Sequence, residues 1–391
     1  MSRAPQRRTA RRTAGSAKGF GIVELLVALA VGLALTLAIS LMLIRHDGLR
    51  RSLTSTNDAQ LNASYVSYVL DRHLRSAGSG LTQGWRSNFG CLLHVSRSGA
   101  QVLPRGSAFP APFAAVPQQV RLAPLLIHAG AGTGGSDVLA VMTGASGLGE
   151  AALRVLPGSV TTNALRVPAT VGMRSADLVL VAETGLGCMM QQLTTPFAGG
   201  ATQQLNFAGN FAAGTINSLP LSNFSTGGTA LLSPLGNPGG NPPAFQLIGL
   251  GANSTLVTLD MLRLNGTDAA LPMAEGVIEL RARYGVDTNG DGQIDTWFAG
   301  SAAGYTPAEL TDGSAAAQQR LLSIMAIRVG LVLRADRIEK DNVAPASLTL
   351  FDDLGAGLKH TRAISASDQR IRHRMLEVTV PLRNVMHAGR T

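Results

Sequence analysis

The chain has 391 residues, of which 45% are hydrophobic, 15% charged and only 4% aromatic, which excludes both an acidic disordered tail and a polytopic membrane protein. Its net charge of +9 invites a nucleic-acid reading. Arg3, Arg7, Arg8, Arg11, Arg12 and Lys18, however, carry six of those charges and leave only +3 for everything beyond them. Basicity therefore belongs to a short N-terminal arm, and nucleic acid is an unlikely partner.

After the arm comes a run from Phe20 to Ile44 whose one strongly polar member is Glu24. As a helix it is long enough to cross a hydrocarbon core of about 30 Å. Basic residues before it outnumber Arg45, Arg50 and Arg51 after it, so the bias places the N-terminus in the cytoplasm and the body outside. A cleaved secretory signal fits less well, because the apolar run continues far beyond Ala28-Leu29-Ala30 and contains a carboxylate. Within a bilayer Glu24 is costly unless it lies near the interface or meets a cationic partner, and the second is the default reading of an intramembrane carboxylate.

The predicted helix continues over 45–77 and becomes amphipathic. Leu49, Leu53, Leu61, Tyr65, Tyr68 and Val69 form an apolar stripe expected to pack on the following domain, and Gly78 and Gly80 provide a stop. Residues 78–391 read as a β-rich head. Strand-like segments fall at 119–128, 136–142, 176–183, 245–262, 275–285, 320–334, 347–351 and 374–383, with 307–322 the best second helix. The Gly/Asn/Ser/Thr/Pro-rich tract 196–244 is expected to be a surface insertion. The expected class is α+β.

Three groups carry chemistry. Asp287, Asn289, Asp291, Gln293 and Asp295 have the spacing of a calcium loop, in which oxygen ligands alternate and Gly292 makes the turn. Phe298 stands where an EF-hand has its glutamate, and both flanks are strand-like, so a hairpin turn is the equal alternative. Cys91 and Cys188 do not form a C-x-x-C pair, which excludes zinc-finger-type clusters, and the exported topology favours a disulfide between them. Gly130, Gly132 and Gly135 match a dinucleotide fingerprint but precede a strand instead of a helix. Neither a G-x-S-x-G elbow, an H-E-x-x-H pair nor a P-loop occurs, so no enzymatic activity is expected. The basic cluster at 370–375 reads as a solvated strand edge.

Gly19-Phe20 followed by Gly-Ile-Val-Glu after a basic leader resembles the type IV prepilin signal. The resemblance implies cleavage after Gly19 by a prepilin peptidase and methylation of Phe20. It also implies that Glu24 acts in assembly, against the terminal amine of a neighbouring subunit. The segments DRHLRSAG with Gly90-Cys91, ADLVLV before Cys188, GVIELRARYGVDTNGDGQIDTW, IRVGLVLR and VTVPLRN are similar to PilW-type minor pilins. A pilin-like fold is thereby implied, with a cleaved leader at 1–19, an assembly segment at 20–44 and partners among other minor pilins, the major pilin and the inner-membrane platform. The implied location is the inner membrane with a periplasmic head, then a surface pilus. A type II secretion pseudopilin is the nearest alternative, and a signal-anchored periplasmic enzyme or binding protein the alternative from another class.

Overall fold

The computed structural model describes Gly19 and residues 21–146, 151–197, 203–224 and 226–388; the leader 1–18 and Phe20 lie outside the described residues. Two compact units divide the chain at Thr54/Ser55. An apolar N-terminal helix followed by a β-rich, mainly antiparallel domain makes the fold α+β, as the sequence predicts.

Helix α1 (Ile22–Arg75) begins with Glu24 in its first turn, where a carboxylate suits the positive end of the helix, and closes on Arg72, His73 and Arg75. Its first stretch, Ile22–Ile44, has a mean hydropathy of 2.6 and is exposed on every face, so it is long and apolar enough to span a membrane. Gly78 takes a φ of +79° and donates its N–H to Met142 O, which turns the chain away from the helix.

In the second unit, the side of α1 that packs is not the predicted stripe. Ala63, Val66, Leu70, Leu74 and Ala77 are buried, spaced by three and four, while Leu61, Tyr65 and Tyr68 are 68%, 55% and 65% exposed. Val69 lies between the two classes, and the side chains of Leu49 and Leu53 lie outside the described residues. The physical reason is that both sides of the helix repeat apolar residues at the helical period, and it is Val66, Leu70 and Leu74, with small Ala63 beside them, that join the main core. Asn384 secures the end of the helix, donating from Nδ2 to the carbonyls of Ser76 and Ala77.

Among the described residues the head has three larger sheets and three two-stranded ones. A six-stranded sheet runs Ala100–Leu103, Leu93–Arg97, Gly187–Gln192, Leu178–Glu183, Leu231–Gly236 and Leu153–Arg154. It is antiparallel except where Leu93–Arg97 lies parallel to Gly187–Gln192. A five-stranded antiparallel sheet runs Leu271–Glu275, Thr255–Asp260, Ala244–Leu250, Val138–Thr143 and Leu125–His128. The third, also antiparallel, runs Thr296–Ala299, Val277–Val286, Ile324–Ile338 and Ile371–Pro381. Predicted segment 245–262 is thus two strands, split at Gly251, and 307–322 is two short helices, Pro307–Leu310 and Ala315–Ser323.

Strand Leu178–Glu183 is buried at all six positions because both faces of its sheet are covered. Leu178, Leu180 and Ala182 enter the main core with α1, whereas Val179 and Val181 enter a second core. That second core revises the expectation for 196–244. The described part of the tract supplies Leu205, Phe207, Ile216, Phe224 and Leu232 to it, and a sheet strand at Leu231–Gly236. Its glycines and asparagines turn the chain between buried anchors, so composition concealed a packed subdomain.

Candidate functional site

Gly19 is exposed, and a Cβ placed on it would meet nothing within 4 Å. Glu24 is likewise exposed, two residues into α1, with its N–H bonded to Gly21 O at 3.0 Å. Phe20, the residue implied to be methylated, lies outside the described residues.

Cys91 and Cys188 are joined by a disulfide with their Cα atoms 5.6 Å apart. Local backbone brings them together. Gly90, at a φ of +81°, donates its N–H to Leu122 O, and Cys188 donates its own to Leu92 O at 2.9 Å. The bridge thereby joins the segment after α1 to the one parallel pairing in the six-stranded sheet.

The five residues of the calcium-type spacing lie together in the hairpin turn between Val277–Val286 and Thr296–Ala299. Asp287 accepts from Gly290 N at 2.6 Å and Gly292 N at 2.8 Å. Asn289 Oδ1 accepts from Asp291 N, and Asp291 Oδ1 from Gln293 N. Asp295 Oδ2 accepts from Thr288 N and Oγ1 and from Asn289 N; the Thr288 N–H foremost holds this carboxyl below its usual range. Among the described residues no group of three or more His, Cys, Asp or Glu side chains is gathered to hold a metal. The turn's donors and acceptors satisfy one another, so the hairpin is expected to form without calcium. A chelator should leave the melting temperature of the purified chain unchanged. Asp287→Ala should cost about 1–3 kcal/mol with or without calcium, by orphaning two N–H groups. A calcium-dependent rise of several degrees, lost in Asp295→Ala, would instead assign the five residues to an ion.

Sequence reasoning missed a polar network built on strand Val277–Val286. Glu279, Arg281 and Arg283 alternate along the strand and so share one face, a signal legible in GVIELRARYG. Buried Asp137 accepts from Gly130 N at 3.0 Å, Ala282 N at 2.9 Å and Arg281 Nη1 at 3.3 Å. Equally buried Glu279 pairs with Arg281 Nε at 2.7 Å, with Arg362, and with His360 Nε2 at 3.3 Å. Burial, reinforced by the Arg281 charge, pushes the His360 imidazole below its ordinary pKa. Arg283 donates to Leu358 O at 2.9 Å. The network joins loop 129–137 and hairpin strand His360–Ala363 to the third sheet, and it explains the glycines of the dinucleotide-like motif. Gly130 serves Asp137, and the following Val138–Thr143 is a strand.

The basic cluster at 370–375 is likewise absorbed locally. Arg370 donates to Glu339 O, Arg372 pairs with Glu339, and Arg374 donates to Gln60 of α1. A cavity of about 420 Å³ is lined by Val116, Val120, Leu126, His128, Met142 and Met261. Burial lowers the His128 imidazole to about 4, so it faces this apolar space uncharged at neutral pH.

No curated protein and no solved structure matches the chain. A family model does. Residues 248–384, which include the calcium-type turn and most of the polar network, match PilW, Type IV Pilus-assembly protein W. The sequence resemblance and the family match converge on these C-terminal strands, which are similar to a type IV pilus-assembly family over about a third of the chain.

Proposed function

We infer that this chain is a minor pilin subunit of a type IV pilus, acting in the initiation of assembly or at the filament tip. One observation carries the reading: a fully exposed apolar helix with a single carboxylate, Glu24, precedes a head whose C-terminal part is of PilW type. A buried core helix would not leave this face bare, and a simple tether has no use for a carboxylate in its first turn. On this reading the leader is removed after Gly19 by a prepilin peptidase. Phe20 becomes the methylated N-terminus, the helix waits in the inner membrane, and the head is periplasmic. Glu24 then meets the terminal amine of a neighbouring subunit as the helix moves into a bundle with other minor pilins and the major pilin. A type II secretion pseudopilus would use the same chemistry.

The test is the N-terminal mass of the protein from membranes, with and without the peptidase. A peptidase-dependent, methylated Phe20 is the expected result, and an intact leader in both strains would sink the assembly mechanism. Glu24→Gln should leave the membrane-bound amount unchanged while abolishing the subunit's recovery in sheared surface filaments. A tether would tolerate the change.

A further inference from the structure

The cavity beside His128 has its origin in the register of three neighbouring strands. Leu126 pairs with Ala140 across the five-stranded sheet, and Ala140 pairs on its other side with Leu247. His128 and Met142 each follow two residues after members of that row, so they share its face. Alanine in the middle of the row leaves a hollow between two leucines. Val116 and Val120, from the loop before the sheet, and Ala308, from the short helix Pro307–Leu310, complete the lining. The resulting space of about 420 Å³ is of the size that small-molecule sites have, and more than one amino-acid side chain would fill.

The lining selects a class of ligand. Leu126, Met142, Leu247 and Met261 are buried, and the two thioethers adapt readily to a flexible chain. Among the described residues no phenylalanine, tyrosine or tryptophan lines the cavity, so an aromatic ligand finds no ring to stack on. At the rim Arg121 and Asp312 carry opposite charges, and both are engaged. Arg121 donates to Gly90 O at 2.7 Å, and Asp312 accepts from Ser314 N at 2.7 Å. Neither sign of charge is therefore favoured in an occupant. The neutral imidazole of His128 differs: among the described residues no hydrogen bond holds its ring. A polar group facing apolar space gains most from a ligand that offers it a hydrogen bond.

We propose that this cavity binds a small linear molecule, an alkyl or acyl chain capped by an uncharged hydroxyl or amide that hydrogen-bonds His128. The experiment uses the full chain in lipid nanodiscs and, as probe, an octanol carrying a photoreactive diazirine in its chain. Irradiation and peptide mapping should place label on the strands of Leu126 and Met142, and unlabelled octanol should displace it. Ala140→Leu should lower that label roughly ten-fold by filling the hollow. Should this variant fail to fold, Ala308→Trp blocks the same space from an exposed position and should act alike. His128→Phe keeps the ring's bulk without its nitrogens. It should weaken competition by octanol about five-fold and leave that by chlorooctane, which lacks the hydroxyl, unchanged. Label confined to Ile22–Ile44, where a probe dissolved in lipid would react, overturns the proposal. So does label that unlabelled octanol cannot displace, or an equal response of both competitors to His128→Phe.

Discussion

Replacing the cysteine pair, as Cys91→Ser with Cys188→Ala, should lower the unfolding free energy by about 4–5 kcal/mol, the largest single effect expected in the molecule. The bridge closes a loop with a sequence separation of 97, and releasing it returns that loop's freedom to the unfolded chain. The enclosed segment holds strand Leu178–Glu183, which contributes Val179 and Val181 to the second core, and ends in the first residues of its partner Gly187–Gln192. It also holds the loops at 105–124, which run without strands between the first and second sheets. Loss of the covalent link should thus broaden the transition as well as move it. Urea unfolding of oxidised and variant protein, followed by tryptophan fluorescence, measures both. A cost below 1 kcal/mol would mean that the packed strands alone fix the loop.

Asp137→Ala should cost about 3–5 kcal/mol, because it removes one of the two buried carboxylates, Asp137 and Glu279, with which the guanidiniums of Arg281, Arg283 and Arg362 pair. Two backbone N–H groups, of Gly130 and Ala282, lose their acceptor at the same time. Asp137→Asn separates the two contributions: it keeps an oxygen for one N–H but not the charge, so it should recover part of the stability and no more. Equal behaviour of Asn and Asp in chemical denaturation would show that hydrogen bonding, not charge, holds the third sheet to loop 129–137. The two perturbations lie in different sheets and share no partner, so their effects should add.

Much of this was legible in the sequence where local pattern decides the outcome. The helix length, its stop at Gly78, the strand at Leu178–Glu183 and the turn at Asp287–Asp295 follow from apolar runs, glycine conformation and Asx chemistry within a few residues. The packing face of α1 did not follow, because both sides of the helix repeat apolar residues at the helical period. Leu61, Tyr65 and Tyr68 make as strong a stripe as Val66, Leu70 and Leu74, and only the tertiary fold decides which of the two is covered. The tract 196–244 failed for a similar reason: its buried anchors Leu205, Ile216 and Phe224 are too sparse to register against the glycines between them. The polar network was half visible. Glu279, Arg281 and Arg283 announce a charged strand face, but Asp137 lies more than a hundred residues earlier and Arg362 about eighty later, and only the fold unites them.

The cross-link also sets how far the subunit can be stretched. Under tension applied to its ends, the residues between Cys91 and Cys188 cannot lengthen the chain, which withholds roughly 330 Å of reach at about 3.4 Å per residue. Strain passing along α1 arrives within sixteen residues of Arg75 at a covalent junction with the centre of the six-stranded sheet. Extension under traction must therefore come from residues outside the bridge, the C-terminal sheets among them.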